Sequence, residues 1–246
     1  MATDSPKAPA PRAYEAVLNS IEEELRSGEI KLGDQLPGER ALAERHGLSR
    51  ASVRDAIRIL DVLGVVRTST GSGPNAGAVV ISRPAAGIAA ALRLHVATRQ
   101  LSVAEIVQTR IMLETGAAEA AVIDPDDDAA REVLGEAAEL LARMDDPALN
   151  RLEFHALDAR FHVLLSSLAG NAVVEAMMES LRLAISDYVA GSVRSDEAWE
   201  PLARVLRGHH HAILDAVAAG EGARASRLLG EHIEWFYAET SASGAE

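Results

Sequence analysis

The segment LPGERALAERHGLSRASVRDAIRIL, residues 36–60, contains two helix starts, one helix stop and a tight turn within twenty-five residues. Pro37 suits a first helical position, where its missing N–H is not needed, and Ala41 and Leu42 supply an inner side. Gly47 stops that helix after His46, and Ser49 is a suitable N-cap for the next. In the second helix Val53, Ala56, Ile57 and Leu60 recur at three- and four-residue steps and form one apolar stripe. Two short helices about a Gly-containing turn outline a helix-turn-helix. Upstream, Tyr14, Val17, Leu18, Ile21 and Leu25 mark a further helix that Ser27-Gly28 ends. Downstream, the β-prone runs 65–68 and 78–81 flank a Gly-rich loop at 71–77, which reads as a hairpin and, in this context, a wing.

The polar side of the third helix separates DNA binding from mere packing. Ser49, Arg50, Ser52 and Arg54 crowd its first turns, away from the apolar stripe. Hydroxyls and guanidinium groups there suit phosphate, which the backbone N–H groups and helix dipole also favour, and an arginine can fork onto guanine O6 and N7. The plainer alternative is a solvated face laced with local ion pairs. Helix, turn, arginines and wing together favour DNA. Residues 12–82 resemble the winged helix-turn-helix of the GntR family of bacterial transcription regulators, with a departure at Ala51 and a longer wing loop. The resemblance implies that Arg40, Ser49, Arg50, Ser52 and Arg54 touch double-stranded DNA, and that Gly71 or Gly73 enters the minor groove.

The overall charge of −13 argues against nucleic acid only if it is spread evenly. It is not: residues 1–84 carry 11 basic and 11 acidic side chains, and the remaining 13 basic and 26 acidic lie beyond. Six arginines fall between Gly38 and Arg67. With 48% hydrophobic residues the chain can fill a core. The absence of cysteine excludes disulfides, zinc–thiolate sites and thiol nucleophiles. No apolar run approaches the roughly 20 residues of a membrane span, and the first residues lack the apolar core of a secretory signal. A cytoplasmic protein without membrane contact is expected. The expected organisation is a disordered tail at 1–11, a winged helix-turn-helix at 12–83, a linker helix region at 84–100 and a helical effector-binding and dimerisation domain at 101–240. The fold class is therefore mainly α, with helices expected at 84–97, 101–123, 127–144, 149–169, 172–190, 200–219 and 222–239.

Such a bundle normally fills its inner faces with aliphatic side chains, so inward polar residues are informative. Asp158 and His162 lie four apart on a helix lined by Leu157, Phe161, Leu164, Leu165 and Leu168. His210 falls between Leu206 and Ile213, and His232 between Leu229 and Phe236. One Asp and three His form a candidate shell for a divalent metal. Each histidine could instead be a core residue bonded to a backbone carbonyl, and spacing alone does not choose among His209, His210 and His211. On another helix Arg110 precedes Glu114 by one turn. The two could pair at the bundle edge, or Arg110 could hold the carboxylate of a small acid.

Residues 100–240 resemble the FCD effector domain of the FadR subfamily of GntR regulators, through Asp158…His162, Ala169-Gly170-Asn171, His210…Ile213 and His232. The resemblance implies a divalent transition metal, Zn, Ni or similar, on Asp158, His162, His210 and His232. It also implies an effector cavity lined by Arg110 and Glu114. The function expected is a ligand-responsive homodimeric regulator on a palindromic operator, controlled by a small organic acid at a metal-containing cavity. The alternatives are a metal-dependent hydrolase or lyase built on the helical bundle, disfavoured because no general base stands near the ligands, and a purely structural metal.

Overall fold

The computed structural model describes residues 13–69, 77–121, 123, 126–193 and 196–242. The wing-tip glycines Gly71 and Gly73 lie outside them. The chain divides into two compact units, residues 1–87 and 88–246.

In the first unit α1 (Ala13–Ser27), α2 (Glu39–His46) and α3 (Arg50–Val62) precede the strands β1 (Val66–Ser69) and β2 (Gly77–Val80). Gly47 caps α2 in the left-handed region, at φ 63°, and its N–H reaches the carbonyls of Ala43 and Glu44. Ser49 caps α3 by accepting from the Ser52 N–H. The stripe of α3 buries Val53, Ala56, Ile57 and Leu60 with Val17 and Ile21 of α1 and Leu42 of α2. Each large aliphatic side chain buried this way contributes about 1.5–3 kcal/mol. The strands pair antiparallel, Val66 opposite Val80 and Ser69 opposite Gly77, and close the same core. Gly64 joins α3 to the hairpin at φ 72°, with the Arg83 carbonyl so near that a Cβ there would meet its oxygen at 2.1 Å. The Arg83 N–H in turn donates to the Gly64 carbonyl. No substituent fits this crossing of two backbone segments.

Helix α4 (Pro84–Ala97) runs across the division between the units. The second unit continues with α5 (Val103–Ala120), α6 (Asp128–Met144), α7 (Arg151–Ser167), α8 (Ala172–Ala184), α9 (Ser186–Gly191), α10 (Asp196–Ala218) and α11 (Gly222–Ala242). Helix α7 is flanked by α5, α6 and α8, while α11 packs on α5 and α10. The core gathers Met144, Phe154, Phe161, Leu206, Ile213 and Leu229, and a second cluster joins Ile106 and Val107 to Leu181, Ile185 and Ile233. The single helix expected over 172–190 is two, because Ile185 at φ −110°, ψ 8° breaks the run. Helix α10 begins at Asp196 rather than 200, so Pro201 sits inside it instead of opening it. No described helix is long and apolar enough to cross a membrane.

Candidate metal centre and effector cavity

Each end of the site is set by a helix start. Asn150 caps α7 by accepting from the Glu153 N–H at 2.9 Å, and this fixes the face on which Asp158 and His162 project together. Ser102 and Glu105 form a reciprocal capping box on α5, which carries Arg110 and Glu114. Helices α10 and α11 bring His210 and His232.

The four sequence-derived ligands converge: one donor atom from each of Asp158, His162, His210 and His232 lies within 4.8 Å of the others. His162, His210 and His232 are buried. His162 Nε2 stands 3.1 Å from His232 Nε2 and 3.6 Å from Asp158 Oδ1, and His210 Nε2 stands 2.9 Å from Asp158 Oδ1. Donors about 2.1 Å from a common ion are separated by about 3.0 Å at octahedral and about 3.4 Å at tetrahedral angles. The three separations bracket those values. Although His210 Nε2 is near Asp158, it has no hydrogen bond, and neither have His210 Nδ1 and His232 Nδ1. Buried ring nitrogens without partners, gathered about a carboxylate, fit a divalent cation better than a set of satisfied core histidines. His209 is not among the convergent donors; its ring stands edge-on to Trp235, and His211 pairs with Asp145 at 2.9 Å.

Glu114 fixes the chemistry of His162. Its carboxylate lies 2.5 Å from His162 Nδ1. A carboxylate only accepts, so Nδ1 carries a proton, and Nε2 is the ring nitrogen that faces the centre. Burial pushes the Glu114 carboxyl up, but His162 and Arg110 outweigh it and bring it down to about 2. Arg110 donates to Glu114 Oε1 from Nε at 3.0 Å, and its Nη2 stands 2.9 Å from the same oxygen as an ion pair. The Arg110–Glu114 pair therefore exists, deep in the bundle rather than at its edge. For Asp158, burial is again opposed by a cation, Arg182, whose Nη2 lies 2.5 Å from Oδ2, and by His162; the carboxyl is held well below the usual range. Burial, reinforced by the neighbouring histidines, pushes His232 well below the usual imidazole range. Burial also lowers His210 against the opposing pull of Asp158. Both shifts favour the neutral ring, the form that binds a metal.

A cavity of about 550 Å³ opens beside the centre, lined by Arg110, Asp158, Arg182 and His232 together with apolar residues of α5, α7 and α11. Arg110 lines it; Glu114 is turned away, into the seam with His162. Arg182 was missed by sequence reasoning. Its signal is a lone arginine on the Met178–Leu181–Ile185 face of an otherwise apolar helix stretch.

In the first unit Ser49 and Arg50 are exposed at the start of α3, and Arg50 forms no ion pair among the described residues. The Ser49 and Ser52 hydroxyls lie 2.9 Å apart. Arg54 forks onto Glu39 of α2 at 3.3–3.4 Å, and Arg40 leans loosely on Glu44 at 3.7 Å.

Comparison with known proteins meets both halves of this description. The family described as bacterial regulatory proteins, gntR family, matches residues 13–74, and the FCD domain matches residues 105–234. The chain belongs to the GntR family of transcription regulators. It is 26% identical to the Uxu operon regulator of Haemophilus influenzae over 232 residues, which cover 91% of this chain and 80% of that one. It is likewise 26% identical to the HTH-type transcriptional regulator LutR of Bacillus subtilis, with 85% and 92% covered, and 27% identical to the HTH-type transcriptional repressor NanR of Escherichia coli, with 89% and 81% covered. Among solved structures, Streptococcus agalactiae GntR shares the fold, with a TM-score of 0.63 at 20% identity over 90% of this chain and 97% of that one. This GntR regulator binds DNA and carries an FCD domain; its family and relatives are regulators, which rules out the hydrolase or lyase alternative.

Proposed function

We propose that this GntR regulator is a cytoplasmic homodimer that reads a palindromic operator through two α3 helices and is released or locked by a small carboxylate held beside a divalent metal. The supporting observation is the convergence of Asp158, His162, His210 and His232 at the wall of a cavity that also contains arginine. When bound, a Zn²⁺-like ion would supply a Lewis-acid anchor for an oxyanion. Asp158 and the three imidazoles would hold that ion. Glu114 positions His162 rather than touching effector, and Arg182 holds Asp158 while facing the cavity. On the DNA side, Arg40, Arg50, Arg54 and the Ser49 and Ser52 hydroxyls would meet phosphate and base edges. Gly71 and Gly73 would follow the minor groove. A two-fold protein supplies two reading heads where one module is too weak. Effector and DNA affinity are then linked by a coupling free energy of about 1–3 kcal/mol.

The test joins metal analysis to DNA binding. Protein purified without a His tag should carry about one transition-metal ion per chain, lost in Asp158→Ala, and a small acid should shift operator affinity about 5–150-fold in the loaded protein. Absence of stoichiometric metal overturns the metal centre. Operator affinity indifferent to every acid overturns the effector.

A further inference from the structure

The cavity's walls say more about the ligand than its metal end does. Arg110 lines it but donates Nε to Glu114 and is ion-paired to the same carboxylate through Nη2. Arg182, only 9% exposed, has used Nη2 on the Asp158 carboxylate and carbonyl, while its Nε is buried without a hydrogen bond. Arg182 thus keeps a buried, unpartnered donor at the cavity's inner end. Away from that end the wall is apolar, with Val107, Val163, Ile185, Leu206, Ile233 and Phe236 as its principal surfaces. Of the hydroxyls that line it, Ser186 Oγ donates to the Leu183 carbonyl at 3.1 Å and Thr240 Oγ1 to that of Phe236 at 2.8 Å, and Tyr188 and Tyr237 add two phenols. His155 adds a buried Nε2 without a hydrogen bond, in a ring flanked by Trp199 and Phe236. The exposed Glu179 and Asp187 also line the cavity and would repel a second carboxylate, while the exposed Arg160 that lines it is already paired with Glu136. The volume, about 550 Å³, falls in the range of roughly 300–1,000 Å³ typical of sites for drug-sized ligands.

We infer that the effector is an amphipathic monocarboxylate: one carboxylate received by Arg182 at the inner end, and a hydrocarbon body, aliphatic or aromatic, along the apolar wall. This rests on the carboxylate reading above and narrows it. A polyhydroxylated acid would lose hydration of most of its hydroxyls against aliphatic surface, because His155 and the Tyr188 and Tyr237 phenols offer fewer partners than water does. A dicarboxylate would bring its far end to Glu179 and Asp187. A three-carbon acid would leave most of the apolar wall in water.

Isothermal titration of the full-length, zinc-loaded protein with octanoate, gluconate and neutral octanamide tests this. Octanoate should bind at least tenfold more tightly than either of the others. Arg182→Lys, which keeps the charge and loses the fork, should weaken octanoate at least tenfold. Leu183 lines the cavity and is 40% exposed, so Leu183→Gln does not disturb the core. It should shrink the octanoate-to-gluconate preference several-fold, even if the Arg182 variant does not fold. Gluconate binding as tightly as octanoate would overturn the amphipathic ligand and leave the carboxylate effector standing. If no acid binds, the carboxylate effector itself fails, and this inference with it. Octanamide equal to octanoate would remove the charge-reading role of Arg182 and overturn the inference at its inner end.

Discussion

Glu39 holds Arg54 in a forked ion pair on the surface of the first unit, and a side chain so held must be released before it can reach DNA. Exposed pairs of this kind are worth at most about 1 kcal/mol, so the competition is weak and adjustable. Glu39→Gln should tighten operator binding several-fold and steepen its salt dependence as Arg54 is freed for phosphate, as measured by fluorescence anisotropy across a salt series. In the second unit Glu114 turns the His162 ring. Glu114→Gln should lower zinc affinity about 10–100-fold in competition with a chromophoric chelator, the usual cost of losing a carboxylate behind a ligating histidine. The two residues also show what sequence reveals. Asp158, His162, His210 and His232 are legible because helical period narrows the inward positions and the family motif selects His210 from its run of three. Glu114 and Arg182 depend on which neighbouring helix each side chain meets, and a one-dimensional period does not encode that.

Helix starts are where local sequence carries through most directly into this site. Ser49, Ser102 and Asn150 each accept from a backbone N–H within three residues, so the segments that carry Arg50, Arg110 and Asp158 begin where short-range chemistry places them. Asn150→Ala should destabilise the protein by about 0.5–2 kcal/mol in urea denaturation and loosen metal binding, since the first turns of α7 lead to Asp158. The capping box on α5 gives a pH dependence. The Ser102 backbone and side-chain hydrogen bonds hold the Glu105 carboxyl below its ordinary 4.5. A group depressed on folding stabilises above its unfolded value, and that contribution is lost as pH falls through the folded one. Stability should therefore drop on acidification below about pH 4.5, and Ser102→Ala should remove part of that slope in urea midpoints measured between about pH 6 and 3. Element ends were less legible where the signal is non-local. The helix expected from 200 extends a turn earlier, with Pro201 inside it; the Ile185 break carries no glycine or proline to announce it.

At the scale of the molecule, two separately packed units imply two thermal events. A ligand bound only by the folded form of one unit raises that unit's stability by about 4 kcal/mol at a thousandfold excess over Kd. Scanning calorimetry with and without a strong chelator should lower the transition of residues 88–246 and leave that of residues 1–87 in place; equal shifts in both would contradict it. The acidic total of −13 misleads in the same way as any whole-chain average, because the DNA-reading part is neutral and the surplus lies elsewhere. The crossing of backbones at Gly64 limits what the first unit can become. With the Arg83 oxygen 2.1 Å from where any side chain would begin, a saturation library scored for DNA binding should return one letter at position 64 and many at Val62, which is 62% exposed. Drift in operator preference must then come through the exposed face of α3, never through the joint that seats its hairpin.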